Sequence, residues 1–398
     1  MYFKENAWWV SPYNDEKEVV DAARPKQKVV IHDATLRDGE QTPGVVFSVD
    51  DKLRIAEKLV EAGVTRIEAG MPAVSPDDFK AIQKISTTFP EAEVYAFARA
   101  TRGDIDMAVD CGVKGVVIEI PIGYPKLRDQ FGWTWEKVLE KSADCISYAR
   151  EKGLRAVYFP YDTTRAREED LENLLKGIMR DCPPDSVGLV DTMGCALPQT
   201  IAYMVRWMKR LTGGLPIEVH AHNDFGMAVA CELAGAAAGA EVLHACVNGM
   251  GERTGNAALE ELVLAMNILL EMDTPYRLDQ LGALCSTVEE LSGIPCAPNK
   301  PFVGKRNYTR ESGIGVNLVT EKPLAMFATD PRIFGREADI ALGKKSGKAS
   351  IQYYLDQLGL EASDEQVAEM LAKVKALGIR KKGLVTLEEF REIAGSCR

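Results

Sequence analysis

Two histidines set two residues apart, with an acid two places out on either side, are the residues in this chain best suited to chemistry. They lie in Glu218-Val219-His220-Ala221-His222-Asn223-Asp224-Phe225-Gly226 and make up half of the four histidines in the 398-residue chain. The apolar approach Leu215-Pro216-Ile217 marks the segment as a short strand. Side chains two apart on a strand share a face, so His220 and His222 aim both imidazoles at one point. Two neutral imidazoles at one point are half of a divalent metal site. The plainer alternative is a pair of structural histidines closing a strand end, and the rest of the chain decides between the two.

The elements that would position such a pair recur regularly. After Pro25, eight short apolar segments each precede a helical stretch: 29–32, 66–69, 94–98, 116–120, 156–159, 187–190, 217–220 and 242–247. Amphipathic runs such as 51–62 and 171–179 lie between them. Eight βα units predict an α/β fold, a closed (β/α)8 TIM barrel. A doubly wound open sheet is disfavoured by the segment count and by the lack of a glycine-rich dinucleotide turn.

In such a barrel, chemistry gathers where strands end and the following loops begin. The first segment runs into Asp33-Ala34-Thr35-Leu36-Arg37-Asp38-Gly39-Glu40-Gln41 and the second into Glu68-Ala69-Gly70-Met71-Pro72. The sixth runs into Asp191-Thr192-Met193-Gly194, and the eighth into Asn248-Gly249-Met250-Gly251-Glu252-Arg253-Thr254-Gly255-Asn256. Strands 7, 8 and 1 are neighbours in a closed barrel, so Asp38, His220, His222 and Asn256 would meet on one divalent ion. Two imidazoles and two oxygens leave positions open for a chelating substrate. A mixed set of this kind accepts Mg, Mn, Zn or Co.

Composition bounds the function classes. A net charge of -11 argues against nucleic acid as the main partner and requires a local positive centre for any anionic substrate. Nine scattered cysteines without a CxxC pair read as reduced core residues of a cytoplasmic protein. No apolar run approaches bilayer length, and no signal layout opens the chain, so no membrane partner is expected. Residues 1–27 begin with an aromatic arm, Tyr2, Phe3, Trp8, Trp9 and Tyr13, expected to pack on its own body or on a neighbouring subunit.

Leu36-Arg37-Asp38-Gly39-Glu40-Gln41, with Lys52 beyond it, resembles the first signature of the isopropylmalate synthase and homocitrate synthase family. His220-Ala221-His222-Asn223-Asp224-Phe225-Gly226 resembles the second, and residues 251–256 the strand-8 motif. The wider DRE-TIM metallolyase superfamily also holds citramalate synthase, Re-citrate synthase and hydroxymethylglutaryl-CoA lyase. The resemblance covers residues 28 to about 350. It implies that Asp38, His220, His222 and Asn256 hold the metal, and that Arg37 faces the substrate carbonyl oxygen, as at an oxyanion site. It implies that Thr192 grips the carboxylate of a 2-oxo acid, with Gln41 and Glu68 lining the same mouth. Glu218 would orient a histidine or act as acid or base, the first role being favoured.

The resemblance further implies a barrel over 28–292, then a linker and small helical subdomain over 293–398, without a separate regulatory domain. The linker carries three prolines between Gly293 and Pro301. Ser363 with Gln366 forms a capping box, the helix after it is expected to end at Gly378, and a last helix spans 387–393. Two helical runs are expected after strand 8, over 257–272 and 278–292. Glu311-Ser312-Gly313-Ile314-Gly315 has glycine where the family has a subdomain histidine, and Lys345 also replaces a histidine. Tyr161 stands where the synthases place a catalytic Glu, and residues 120–125 lack the usual Ser and His. An unperturbed phenol titrates near ~10, which makes Tyr161 a poor base without help. Met71, Phe97, Tyr158 and Tyr161 suggest a bulky lining. The metal half of the site is thus intact and the acyl-CoA half rewritten. The function expected is Claisen condensation of an acyl-CoA, acetyl-CoA in the first instance, with a 2-oxo acid, in a homodimer. The alternative is aldol or retro-aldol cleavage of the hydroxymethylglutaryl-CoA lyase type.

Overall fold

Each of the eight apolar segments forms a strand of one closed parallel barrel: β1 Val30–Asp33, β2 Arg66–Glu68, β3 Glu93–Arg99, β4 Gly115–Pro121, β5 Arg155–Tyr161, β6 Ser186–Asp191, β7 Ile217–Ala221 and β8 Val242–Ala245. The computed structural model describes residues 1–397. β8 closes on β1, pairing His244 with His32 and Ala245 with Asp33. β7 and β1 therefore flank β8, which brings the strand-end motifs to one sector of the mouth. Helices between the strands start on side-chain caps: Ser48 and Asp51 form a capping box before Val49–Glu61, and Ser75 and Thr101 cap Pro76–Thr88 and Arg102–Asp110. Their apolar stripes, Ile55, Ala56 and Leu59 in the first, cover the outward-facing strand residues.

The barrel interior divides into two halves. Inward positions of β3 to β6 carry Tyr95, Phe97, Val117, Val157, Phe159 and Val190, an aromatic and aliphatic wall. Inward positions of β7, β8, β1 and β2 carry Glu218, His220, His244, His32, Arg66 and Glu68, all buried. A barrel interior filled by branched aliphatics would be more stable. Placing ionisable groups there costs desolvation, which only pairing can offset.

Contacts divide the chain into two units, Tyr13–Pro295 and Met1–Pro12 with Cys296–Arg398. The segment 1–27 is accordingly split. Residues from Tyr13 onward join the barrel: Gln27 Nε2 donates to the carbonyls of Ala236 (2.8 Å) and Ala240 (2.7 Å), and Arg24 pairs with Glu271 at 3.2 Å. In the other unit, the hairpin Phe3–Lys4 and Trp8–Trp9 pairs with the chain around Thr329. The Trp9 N–H donates to the Ala328 carbonyl and the Asp330 N–H to the Ala7 carbonyl, both at 2.8 Å.

The run expected over 257–272 breaks into Leu259–Leu264 and a π turn, Ala265–Leu269, whereas Leu278–Ser292 forms as expected. The helix after the Ser363 capping box, Asp364–Lys381, continues through Gly378 and ends at Lys382 with φ 53°. Gly378 serves close approach, not termination: a Cβ there would lie a tight 3.0 Å from the Lys344 backbone nitrogen. The last helix is Leu387–Ser396, and Ile351, Leu355, Met370, Val374 and Phe390 form the core of this unit. Gly315, at φ 76°, caps the short helix Val316–Glu321. Among the described residues no helix is long and apolar enough to cross a membrane.

Candidate active site

β7 ends with His220 facing inward and His222 just beyond it, and the first turn after β1 swings Asp38 against both. Asp38 Oδ2 lies 3.2 Å from His220 Nε2 and 3.6 Å from His222 Nε2, and the two Nε2 atoms are 3.3 Å apart. Neither Asp38 oxygen has a donor in hydrogen-bond geometry, and the Asn256 Oδ1 is likewise buried without one. Asn256 reaches the cluster because its backbone bridges to His222, while its Nδ2 donates to the Met250 carbonyl at 3.0 Å. Burial lowers the pKa of His220, and burial brings His222 down to about 4 despite Asp38. Burial works to raise Asp38, but the Arg37 charge and the two histidines hold it well below the usual carboxylate range. Neutral imidazoles beside an ionised carboxylate and an orphaned amide oxygen have the protonation states of metal ligands. Buried acceptors without donors cost stability unless a cation satisfies them. The donor set therefore fits a divalent ion.

One layer deeper lies a second group. Glu218 Oε1 accepts from Arg66 at 2.6 Å and Ser186 at 2.5 Å, and Oε2 lies 2.9 Å from His244 Nε2. Burial brings His244 down to about 4, so it is neutral and must carry its proton on Nε2 to meet the carboxylate. His32 stacks on His244 with centroids 4.3 Å apart. His32, Glu218 and His244 also cluster closely enough for a metal. Both Glu218 oxygens are already committed, however, and the Arg66 guanidinium neutralises the carboxylate. The histidine that Glu218 meets is His244, not either of the pair at 220 and 222. Two residues along a strand separate side chains by about 7 Å, which puts Glu218 a layer below the Asp38 cluster.

Glu68 also departs from expectation. It has no exposed surface and pairs through Oε1 with Arg37 Nε at 3.0 Å, so it holds Arg37 instead of lining the mouth. Arg37 lies over the Phe97 ring, 4.3 Å from its centroid, and keeps a buried Nη2 without a partner. Burial works to lower its pKa, but Glu68 and Asp38 raise it above the ordinary arginine value. A permanently charged donor, locked from two sides with one N–H pair unspent, is suited to an oxygen that gains charge.

Around these groups, Gln41 is exposed and lines a cavity of about 400 Å³ with Leu36, Val45, Met71, Val74 and Phe97. Met71 and Phe97 thus line the cavity as expected. Tyr158 does not: it points outward, bonded to Ser142 on the helix Trp135–Glu151. The Thr192 hydroxyl accepts from the Asp162 N–H at 2.7 Å and keeps its own hydrogen to give. Arg253 ties three loops together, bonding Asp224 at 2.9 and 3.0 Å and the Thr192 carbonyl at 2.6 Å. Tyr161 packs half-buried on the aromatic wall, and burial with the Glu119 charge pushes its phenol up to about 12. Cys246 is fully buried, and burial raises its thiol well above 9.0, which makes it core. Glu119 was not singled out from the sequence. Its signal is a lone acid at an inward position of Val116-Val117-Ile118-Glu119-Ile120.

A closed barrel with a carboxylate–histidine cluster at its C-terminal mouth defines a metal-dependent TIM-barrel enzyme. Residues 28–288 match the HMGL-like family, and residues 302–382 match the homocitrate synthase post-HMGL domain-like family. The homocitrate synthase AksA of Methanopyrus kandleri is 40% identical over 371 residues, covering 93% of this chain and 92% of that protein. The 2-isopropylmalate synthase of Sulfolobus acidocaldarius is 38% identical over 352 residues, covering 88% and 91%. The crystal structure of a Bacillus subtilis HMG-CoA lyase shares the fold, with a TM-score of 0.60 at 20% identity, over 69% of this chain and 96% of that one. The chain belongs to the HMGL-like family, in its isopropylmalate and homocitrate synthase branch, and is an acyltransferase.

Proposed function

We propose that the chain condenses acetyl-CoA with a 2-oxo acid whose side chain is apolar, giving a 2-hydroxy dicarboxylate and free CoA. Relatives named for different products, homocitrate and 2-isopropylmalate, differ by only 40% against 38% identity, so overall similarity does not choose the acid. The observation that carries the choice is the cavity beside Arg37, lined by the apolar Leu36, Val45, Met71, Val74 and Phe97 and by the carboxylates Glu40 and Asp78. A second carboxylate there would need a cation. Arg37 is the one basic residue in the lining, and it is held by Glu68. Lys52, behind the wall, is neutralised by Glu40 and Asp78, each at 2.6 Å. An uncompensated charge in such a pocket is costly, whereas each buried methylene gains about 0.8 kcal/mol.

Asp38, His220, His222 and Asn256 would hold the divalent ion, which supplies Lewis-acid polarisation of the 2-oxo acid carbonyl. The free Thr192 hydroxyl hydrogen binds the substrate carboxylate. Arg37 donates its unspent N–H pair to the carbonyl oxygen as that oxygen becomes an alkoxide. The aromatic wall of Phe97 and Phe159 excludes water while the carbon–carbon bond forms. Tyr161, with its phenol at about 12, does not serve as the base at neutral pH.

Thiol release from acetyl-CoA with Mn or Mg and a panel of 2-oxo acids tests the reading, with Asp38→Ala as control. The expected result is metal-dependent release with aliphatic or aromatic acids, at least about 100-fold weaker with an acid bearing a second carboxylate, and none from the control. Preference for the second carboxylate would overturn the side-chain assignment, and no release with any acid would overturn the condensation.

A further inference from the structure

The condensation needs a group to take a proton from the carbon beside the thioester carbonyl, and Tyr161 is unsuited to it. A carboxyl stands nearby. Glu119 lies on β4 at the inward register: Val117, two residues before it, belongs to the interior wall, and Glu119 pairs with Phe159 of β5. Its neighbour on β3 is Arg99, which is itself bonded to Asp104, and the ring of its β5 partner Phe159 meets the His220 ring edge-on at 5.4 Å.

Every other residue of β4 is buried, and Glu119 alone keeps some exposed surface. An inward side chain in a closed barrel meets solvent only through the barrel's own mouth. Among the described residues, Glu119 has no hydrogen-bond or ion-pair partner, unlike Glu68 and Glu218 in the same interior. An inward, partly exposed carboxyl without a partner is costly to keep and has the properties of a working group.

Resting on the condensation reading, we infer that Glu119 is the acid–base residue, placed on β4 instead of on β5 where Tyr161 stands. Its carboxylate takes one proton from the acyl methyl group, and the C–H electron pair becomes the enolate. That pair forms the new bond to the 2-oxo carbon, while the carbonyl π pair moves to the oxygen beside Arg37. The protonated Glu119 returns its proton to that alkoxide, and water then cleaves the thioester to carboxylate and thiol. The charged neighbours suit the task. Burial raises the Glu119 carboxyl, Arg37 opposes, Asp38, Glu68 and Glu252 add to it, and the result is about 7. A base titrating there is half-ionised at neutral pH, with the greatest useful strength.

The test compares wild type, Glu119→Gln and Glu119→Asp for thiol release from pH 5 to 9, with Mn affinity and circular dichroism on each. Expected for Glu119→Gln are an unchanged fold, Mn affinity within about threefold, and a fall in kcat on the order of 10²–10⁴-fold. Expected for Glu119→Asp is an intermediate rate that keeps the acid limb of the pH profile, which Glu119→Gln loses. Wild-type release with Glu119→Gln within about threefold overturns the assignment and leaves the condensation standing. Absence of release by the wild type overturns the condensation and this inference with it.

Discussion

Within the barrel, Glu218 accepts from Arg66, Ser186 and His244 and has no exposed surface. Burial works against its charge, but Arg66 and His244 outweigh it and hold the carboxyl well below its ordinary 4.5. A carboxyl depressed by folding adds stability above its unfolded pKa and loses it as the pH falls toward the folded value. Glu218→Gln removes that charge and leaves the buried Arg66 without its counter-ion, a change that costs about 3–5 kcal/mol. Urea unfolding at pH 7 should show a loss of that size, and the gap to wild type should narrow as the pH is taken below about 4.5. A gap of equal size at pH 7 and pH 3 would show that the charge of Glu218 does not contribute. The same residue marks how far the sequence was legible. Alternation along β7 correctly put 218, 220 and 222 on one face, and it cannot say which strand's histidine each will meet. That depends on the β7–β8 register and the tilt of the barrel, both of which are tertiary.

The loop that follows β8 works as an element because glycines let it fold back over its own strand. Gly251 has φ 146°, and a Cβ there would lie 2.3 Å from the Asn256 Nδ2. Gly251→Ala must therefore displace the Asn256 amide, and with it the Oδ1 proposed for the metal, while the Asp38, His220 and His222 group is untouched. Mn affinity should fall by about 10- to 100-fold, the range for groups that orient a ligand, with the barrel's circular dichroism unchanged. Unaltered affinity would remove Asn256 from the ligand set. At this scale the periodic strands were readable because apolar runs between turn residues repeat eight times. The exceptions are packing effects. Gly378 reads as a helix stop, yet the helix Asp364–Lys381 runs through it, and the glycine instead lets the backbone at Lys344 pack closely against the helix. Glu119 escaped notice for a related reason, since a lone acid in an apolar strand gains meaning only once the barrel closes and its inward direction is known.

Taken whole, the chain builds one of its two units from both ends, Met1–Pro12 and Cys296–Arg398. Residues 1–12 find their partners around residues 328–330, a contact of large sequence separation and high closure cost. Their return is a short strand pairing that buries Ala7 and gives backbone partners to Ala328 and Asp330. The Thr329 and Asp330 side chains are themselves buried: Thr329 shares a 2.6 Å hydrogen bond with Tyr308, and Asp330 caps the turn Pro331–Phe334. Deleting residues 2–12 would remove the acceptor of the Asp330 N–H and uncover this small core. Hydrogen exchange should then speed at Asp330 by at least about tenfold, which corresponds to a net bond of about 1.4 kcal/mol, while amides of β7 keep their protection. Equal loss of protection in β7 would mean that the arm stabilises the barrel as well, and unchanged exchange at Asp330 would mean that the arm contributes nothing to its own unit. The barrel encloses its site with side chains drawn from residues 32–256, so Mn affinity in the same deletion variant should stay within about threefold of wild type, a difference of less than ~1 kcal/mol.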